Sequence, residues 1–271
     1  MIQFVLIFTI LILMFILVLF YKKCNNPKIA TNLQKLENRL DDTFDKDFDV
    51  KYINLDSSIL RNKKIVEQLK NKKFKFSRFS AYDGRKIDKH FSNSLIDNFK
   101  TIDFNGSIYK NKKGSLGNFI SQLTCWYDFY TLSDKKFLIV MEDDVLFSEK
   151  LNKTLIYKTI NSIKVDNWDL IKFFHFGKLR GEITDNTPLI KTKSQGFSRD
   201  NTGMQFYCIK KESIKKLINL LLPIKNITFD MKVKEIMNKS NIFITKEKYV
   251  STEPDKSDRK NIDTDRTLKV F

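Results

Sequence analysis

At 271 residues, 42% of them hydrophobic and 13% aromatic, the chain has enough apolar mass for one sizeable packed domain with additions, which excludes an intrinsically disordered protein. Its formal net charge of +17 is spread along the chain as lysines, and no zinc-finger, helix-turn-helix or RNA-recognition signature accompanies it, so nucleic-acid binding is a minority reading. Three cysteines, Cys24, Cys125 and Cys208, are too few and too scattered for a disulfide framework or a thiolate zinc site, and they fit a reducing compartment.

From Ile2 to Tyr21 the chain is apolar apart from Gln3 and Thr9 and carries no charge, about the 20 residues that a helix needs to cross a bilayer. No basic residues precede the run and no small-residue cleavage site follows it, so residues 1–23 are expected to be an uncleaved single-pass anchor in a lipid bilayer. Lys22, Lys23 and Lys28 follow the segment, and the positive-inside tendency then places the long C-terminal part in the cytoplasm. Four sequons, at Asn105, Asn152, Asn226 and Asn238, argue for a lumen, and the side stays open. Residues 24–47 read as a stalk: Leu33, Leu36, Leu40 and Phe44 recur at helical spacing among charges.

The globular domain is expected over residues 48–250. Phe48 to Leu55 reads as a strand, Ser57 as the cap of a helix from Ser58 to about Asn71, and Lys73 to Phe79 as a second strand, which makes a βαβ unit and an α/β fold. Gly114 and Gly117 open a helix to about Leu132 with Leu116, Ile120, Leu123 and Tyr127 on its buried stripe. Phe137 to Met141 is an unbroken apolar run, as a strand buried on both faces would be, and it ends in Glu142, Asp143 and Asp144. A helix is expected from about Glu149 to Ile163 and a strand from Trp168 to Phe174, closing at His175. Lys178 to Arg199 reads as a polar, irregular loop, Met204 to Ile209 as a strand, Lys211 to Leu222 and Asp230 to Asn238 as helices, and Ile242 to Val250 as the last strand. Residues 251–271 form a charged tail.

Three adjacent carboxylates repel one another unless a cation or hydrogen-bond donors neutralise them, and hard oxygen ligands suit Mg²⁺ or Mn²⁺ with substrate phosphates. In open α/β sheets, ligands bind at the carboxyl ends of the strands, where these acids fall. The strand end therefore reads as a metal–phosphate site, with a plain polar turn as the equal alternative.

In this order the elements resemble glycosyltransferase family 25, the group that includes bacterial lipooligosaccharide galactosyltransferases and procollagen galactosyltransferase domains. The resemblance rests on Ile53-Asn54-Leu55-Asp56 with Arg61 downstream, Ala81-Tyr82-Asp83-Gly84, Gly114-Ser115-Leu116-Gly117 followed by Ser121 and Trp126, and the strand ending Glu142-Asp143-Asp144. Thr202-Gly203, Tyr207, Pro223 and Asp230 are similar to later family positions. Asn118 and Ser121-Gln122 depart from it, standing where the family has Cys and Ser-His.

The resemblance implies a GT-A-like nucleotide-sugar-binding domain, a mixed and mainly parallel sheet with flanking helices, preceded here by the transmembrane helix. It also implies a UDP-hexose donor (galactose or glucose), a glycan or protein hydroxyl acceptor, Mn²⁺ or Mg²⁺, and inversion at the anomeric carbon. Asp143 and Asp144 are the expected metal ligands and Glu142 a group beside them or a contact to the donor sugar. Asn54, Asp56, Arg61, Asp83 and the helix at Gly117 are the expected donor-binding positions, and Asp230 is the expected base. The other readings are a catalytically silent binding or scaffold module, and a basic protein binding membrane surfaces or nucleic acid.

Overall fold

The computed structural model describes residues 27–87, 92, 95, 112–184, 186–194, 199–224 and 228–252, with 27–34 and 36–37 described as backbone alone. The expected anchor, residues 1–23, and the tail beyond Thr252 lie outside these. Among the described residues no helix is long and apolar enough to cross a membrane. The chain divides into two units, Met1–Thr43 and Phe44–Phe271. Helix α1 (Pro27–Asp47) covers the expected stalk, and its last turn belongs to the second unit, where Phe44 stacks on Phe48 with ring centroids 4.4 Å apart.

The second unit is built on β1 (Phe48–Asn54), α2 (Ile59–Asn71), β2 (Ser77–Ser80), α3 (Lys113–Leu132), β3 (Phe137–Glu142), β4 (Val145–Phe147), α4 (Lys153–Ile160) and β5 (Leu170–Lys172). There follow β6 (Gly181–Ile183), β7 (Leu189–Thr192), β8 (Phe206–Lys210), α5 (Ile214–Leu221), α6 (Phe229–Glu235), β9 (Ile242–Thr245) and β10 (Val250–Thr252). Eight strands form one sheet in the order β2-β1-β3-β8-β5-β9-β7-β6, and β4 pairs with β10 separately. The β1–β2, β1–β3 and β5–β9 pairings are parallel, whereas β8 lies antiparallel between β3 and β5, and β7 lies antiparallel between β9 and β6. Within the eight-stranded sheet every strand except β7 and β8 therefore runs the same way. The sheet is mixed, and mainly parallel in strand direction.

Alternation along the strands makes this a three-layer α/β/α domain. Leu138 and Val140 of β3, with Tyr207 and Ile209 of β8, face a cluster built from α3, α5 and α6 that includes Phe119, Trp126, Leu217 and Phe229. Ile139 and Met141, with Phe206 and Cys208, face the opposite cluster with Ile65 and Leu69 of α2 and Ile156 of α4. Burial on both faces is why β3 reads as a continuous apolar run.

Several elements differ from expectation. The segment 178–199 is no structureless loop, since it holds the β6–β7 hairpin at the sheet edge; β6 is exposed at all three residues and so carries no burial signature. The last expected strand is two, β9 in the large sheet and β10 against β4, and β4 itself was not expected. Ser58, rather than Ser57, precedes α2, and it makes no side-chain cap. Helix α4 starts later than expected, where the Asn152 side chain accepts from Leu155 N at 2.7 Å.

Helix α3 starts at Lys113, so Gly117 lies inside it and the expected free amide end at Gly117 is absent. Its role is close approach. A Cβ on Gly117 would lie 2.4 Å from the Tyr82 carbonyl oxygen and 2.7 Å from Gly84 N, and one on Gly84 would lie 1.6 Å from the Lys113 carbonyl oxygen. Backbone thus presses on backbone between α3 and the turn after β2. Ser121 closes the same joint, its Oγ accepting from Tyr82 N at 2.8 Å and donating to Gly117 O at 2.6 Å. Gly117→Ala should therefore destabilise the fold by about 2–3 kcal/mol, the upper range for overpacking, read from the shift of a urea-unfolding midpoint.

Candidate active site

The carboxyl ends of β1 and β3 lie side by side, because Ile53 pairs in register with Glu142. Asn54 therefore stands beside the acids. It is 2% exposed, and its side chain is spent on both sides: Nδ2 donates to Asp143 Oδ2 at 2.6 Å and to Ser58 O at 3.2 Å, while Oδ1 accepts from Arg78 Nε at 2.9 Å. Arg61, one turn into α2, pairs with Asp143 Oδ1 at 3.0 Å. Arg78 continues to Asp56 Oδ1 at 2.5 Å, where Ser80 Oγ also donates at 2.7 Å. Those two hydrogen bonds, Ser80's first, hold the Asp56 carboxyl below its ordinary range.

Four of the expected residues, Asn54, Asp56, Arg61 and Asp143, thus belong to one network. The sequence reading missed its hinge, Arg78. Its signal was weak, a lone arginine on an exposed strand, and only the parallel pairing of β2 with β1 brings it to Asn54.

Glu142 is held from the opposite side. Asn118 Nδ2 and Gln122 Nε2, four residues apart and so on one face of α3, both donate to its Oε1, at 3.0 and 3.3 Å. Behind them the Tyr207 hydroxyl donates to Gln122 Oε1 at 2.5 Å and accepts from Trp126 Nε1 at 2.6 Å. The two positions that depart from the family pattern are therefore the two that grip the glutamate.

Asp144 is the exception among the three acids. Its Oδ1 is shut off from solvent and has no hydrogen-bond partner among the described residues. Burial first, then the Glu142 and Asp143 charges, push its pKa from 3.8 up to about 7, with Arg61 opposing. Among the described residues no cluster of three or more His, Cys, Asp or Glu forms a ready metal cage. A dication that takes one or two carboxylates and completes its shell with phosphate oxygens and water needs no such cage. The orphaned Asp144 oxygen, beside two acids already held by protein donors, fits that mode. Asp143 is a poorer candidate than expected, because both its oxygens already have protein partners.

The remaining expected residues have other described partners. Asp83 caps the turn at Gly84–Lys86 through Arg85 N at 3.0 Å and forks with the Arg85 guanidinium, which keeps its carboxyl below the usual range. Asp230, in the first turn of α6, accepts from Thr228 Oγ1 at 2.6 Å. No described hydrogen bond or ion pair joins it to the three acids; its charge acts on Lys172. That lysine is 1% exposed at the end of β5 and donates to Asn201 O at 2.5 Å, and burial pulls its pKa down to about 7 against the pull of Asp230. His175 is also buried, which lowers its pKa.

Among solved structures, the chain is similar to a glycosyltransferase involved in the glycosylation of the major capsid of PBCV-1, at 9% identity over 82% of this chain and 99% of that one, with a TM-score of 0.42. It is similar to A197 from STIV at 11% identity, over 75% and 83% of the two chains with a TM-score of 0.39. UDP-glucose pyrophosphorylase complexed with UDP-glucose aligns at 11% identity over 87% of each chain, with a TM-score of 0.39. No curated protein matches. The profile of glycosyltransferase family 25 (LPS biosynthesis protein) matches residues 49–237, which holds β1 through α6 and both networks around the acids. On that match, the chain belongs to glycosyltransferase family 25.

Proposed function

We propose that this glycosyltransferase moves a hexose, galactose or glucose, from a UDP-sugar to a hydroxyl of a glycan or protein, with inversion at the anomeric carbon. The fold reading that goes with it is GT-A, with the donor at the carboxyl ends of β1 and β3. A single observation carries the proposal: of three consecutive acids, two are held by donors from β1, α2 and α3, and the third, Asp144, keeps a buried oxygen with no partner among the described residues.

Departure of a nucleoside diphosphate builds negative charge on its phosphate and oxocarbenium character on the sugar. A bound Mn²⁺ or Mg²⁺ would neutralise charge on the diphosphate. On this reading Asp144 holds that ion, while Asn54 and Arg61 fix Asp143 so that the turn following β3 keeps its shape. Glu142, tied through Oε1 alone, has Oε2 left to accept from a hydroxyl of the donor sugar. Asp230 is the proposed base for the acceptor hydroxyl. Residues 1–23 would anchor the enzyme to a membrane at its N-terminus, which places the acceptor near a bilayer.

Incubation with UDP-galactose and UDP-glucose, with Mn²⁺, with Mg²⁺ and with a chelator, tests the proposal by UDP release. Metal-dependent release from at least one donor is the expected result. Its absence with both donors, together with no metal-dependent binding of UDP, would refute it. Asp230→Asn should lower transfer to an acceptor about 10²-fold while UDP binding persists, and unchanged transfer would remove Asp230 from the base role.

A further inference from the structure

We infer that Tyr207, Gln122 and Trp126 form a directional hydrogen-bond relay that positions Glu142 toward the donor sugar, with Gln122 as its polarised link. The inference rests on the donor-site reading above. Its logic is one of donors and acceptors. An indole N–H only donates, so the contact of Trp126 Nε1 at 2.6 Å makes the Tyr207 oxygen an acceptor there. The Glu142 carboxylate can only accept, so the end of the Gln122 amide beside it is the NH₂, and the atom left toward Tyr207 at 2.5 Å is the carbonyl oxygen, which takes the hydroxyl proton. That fixes the amide, which can otherwise flip. Its NH₂ end is left facing Glu142, at 3.3 Å from Oε1.

The relay is enclosed. Trp126, Gln122 and Tyr207 are each fully buried, so no water competes for the intermediate bonds, and burial holds the Tyr207 phenol far above its ordinary pKa, so the hydroxyl remains a donor. The pieces come from three elements, α3, β3 and β8. Glu142 N also donates to Gln205 O at 2.9 Å, so the backbone of the β8 entry and the side chain of Tyr207 fix the same residue. Asn118 reinforces the pull on Oε1 from one turn earlier. With both amides on one oxygen, rotation of the carboxylate is restrained, and the direction of Oε2 with it. A flipped Gln122 amide would instead set its carbonyl against Glu142 and turn the carboxylate away.

The relay makes Tyr207, Gln122 and Trp126 positioning residues. It also accounts for Gln122 at a site where the family pattern has a histidine: an imidazole carries one acceptor nitrogen for Tyr207 and one N–H for Glu142, the same two functions in the same order. The test uses the full chain with whichever of UDP-galactose or UDP-glucose it turns over faster, in Mn²⁺. Tyr207→Phe and Gln122→Leu should each lower kcat about 10-fold, with UDP affinity by calorimetry unchanged. Gln122→His should recover most of the kcat that Gln122→Leu loses.

A wild-type kcat in Tyr207→Phe or Gln122→Leu, even with a lower melting temperature, would overturn the relay and leave a structural role only. So would Gln122→His falling as far as Gln122→Leu, a comparison that still decides if Tyr207→Phe does not fold. A wild-type protein that turns over neither donor would instead fail the donor-site reading itself, and the relay with it.

Discussion

Asp144→Asn should abolish sugar transfer, with kcat/KM falling about 10²–10³-fold, and should at the same time make the metal-free protein more stable above neutral pH. Both effects follow from the buried Asp144 Oδ1, which has no hydrogen-bond partner among the described residues. In the working enzyme it would hold the ion that steadies the leaving diphosphate, and an amide is a poor substitute for that charge. In the metal-free protein the same carboxyl is a liability, because its pKa is raised from 3.8 to about 7 by burial and by Glu142 and Asp143.

A carboxyl whose folded pKa lies above its unfolded one is best tolerated while protonated. Its contribution to stability is therefore fully present below about pH 3.8 and is lost as pH rises through 7. With three interacting acids and a partly solvated site, the loss is on the order of 2 kcal/mol at pH 8. Thermal unfolding at pH 5 and pH 8 in chelator checks it. The wild type should gain less stability than Asp144→Asn on going to the higher pH, and added Mn²⁺ should raise the melting temperature of the wild type alone. A variant that loses activity without this stability signature would point to a general disruption of the β3–β4 turn.

Arg61→Met should destabilise the fold by about 3–5 kcal/mol, the largest stability effect expected of any single change at the site. Arg61 and Asp143 are both mostly buried, with side chains 15% and 8% exposed, and their atoms are 3.0 Å apart. Taking away the guanidinium leaves a mostly buried carboxylate beside Glu142 and Asp144 without its cation, although the Asn54 amide still donates to it. The double variant Arg61→Met/Asp143→Asn removes both charges and should recover at least half of the loss, since a buried pair costs most when only one member is removed. Urea denaturation of the four proteins closes the cycle. Additive losses would show that the pair has no mutual dependence and that Arg61 acts through other contacts.

How far the sequence could lead is clearest at these residues. The β3 strand and its three acids were legible because burial on both faces writes itself as an unbroken apolar run, and the βαβ start because each element has its own period. The division of labour among the acids was not legible. Asp143 and Asp144 are neighbours in sequence, yet one turns to Asn54 and Arg61 while the other keeps one oxygen buried without a described partner, and that depends on which strand lies beside β3. Arg78 and Tyr207 escaped for the same reason: their partners are 24 and 85 residues away, a separation that no periodicity records. The β6–β7 hairpin was hidden differently, by lying at a solvated edge where strand residues need not alternate.

Gln122 reverses the first impression that the sequence gives. As a departure from a family histidine it invites the reading of a silent, scaffold-like domain. In the structure it takes part in a closed set of hydrogen bonds ending on Glu142. That supports an active enzyme, and it leaves the acidic cluster, not the substituted position, as the place where the account stands or falls.

The most direct measurement is the anomalous signal of Mn²⁺ in crystals soaked with Mn²⁺ and UDP. The account predicts one ion within coordination distance of an Asp144 carboxylate oxygen, roughly 2.1 Å, with the diphosphate on its other side and the Arg61–Asp143 pair intact. An ion and nucleotide bound together away from Asp144, with its Oδ1 still unpartnered, would contradict it.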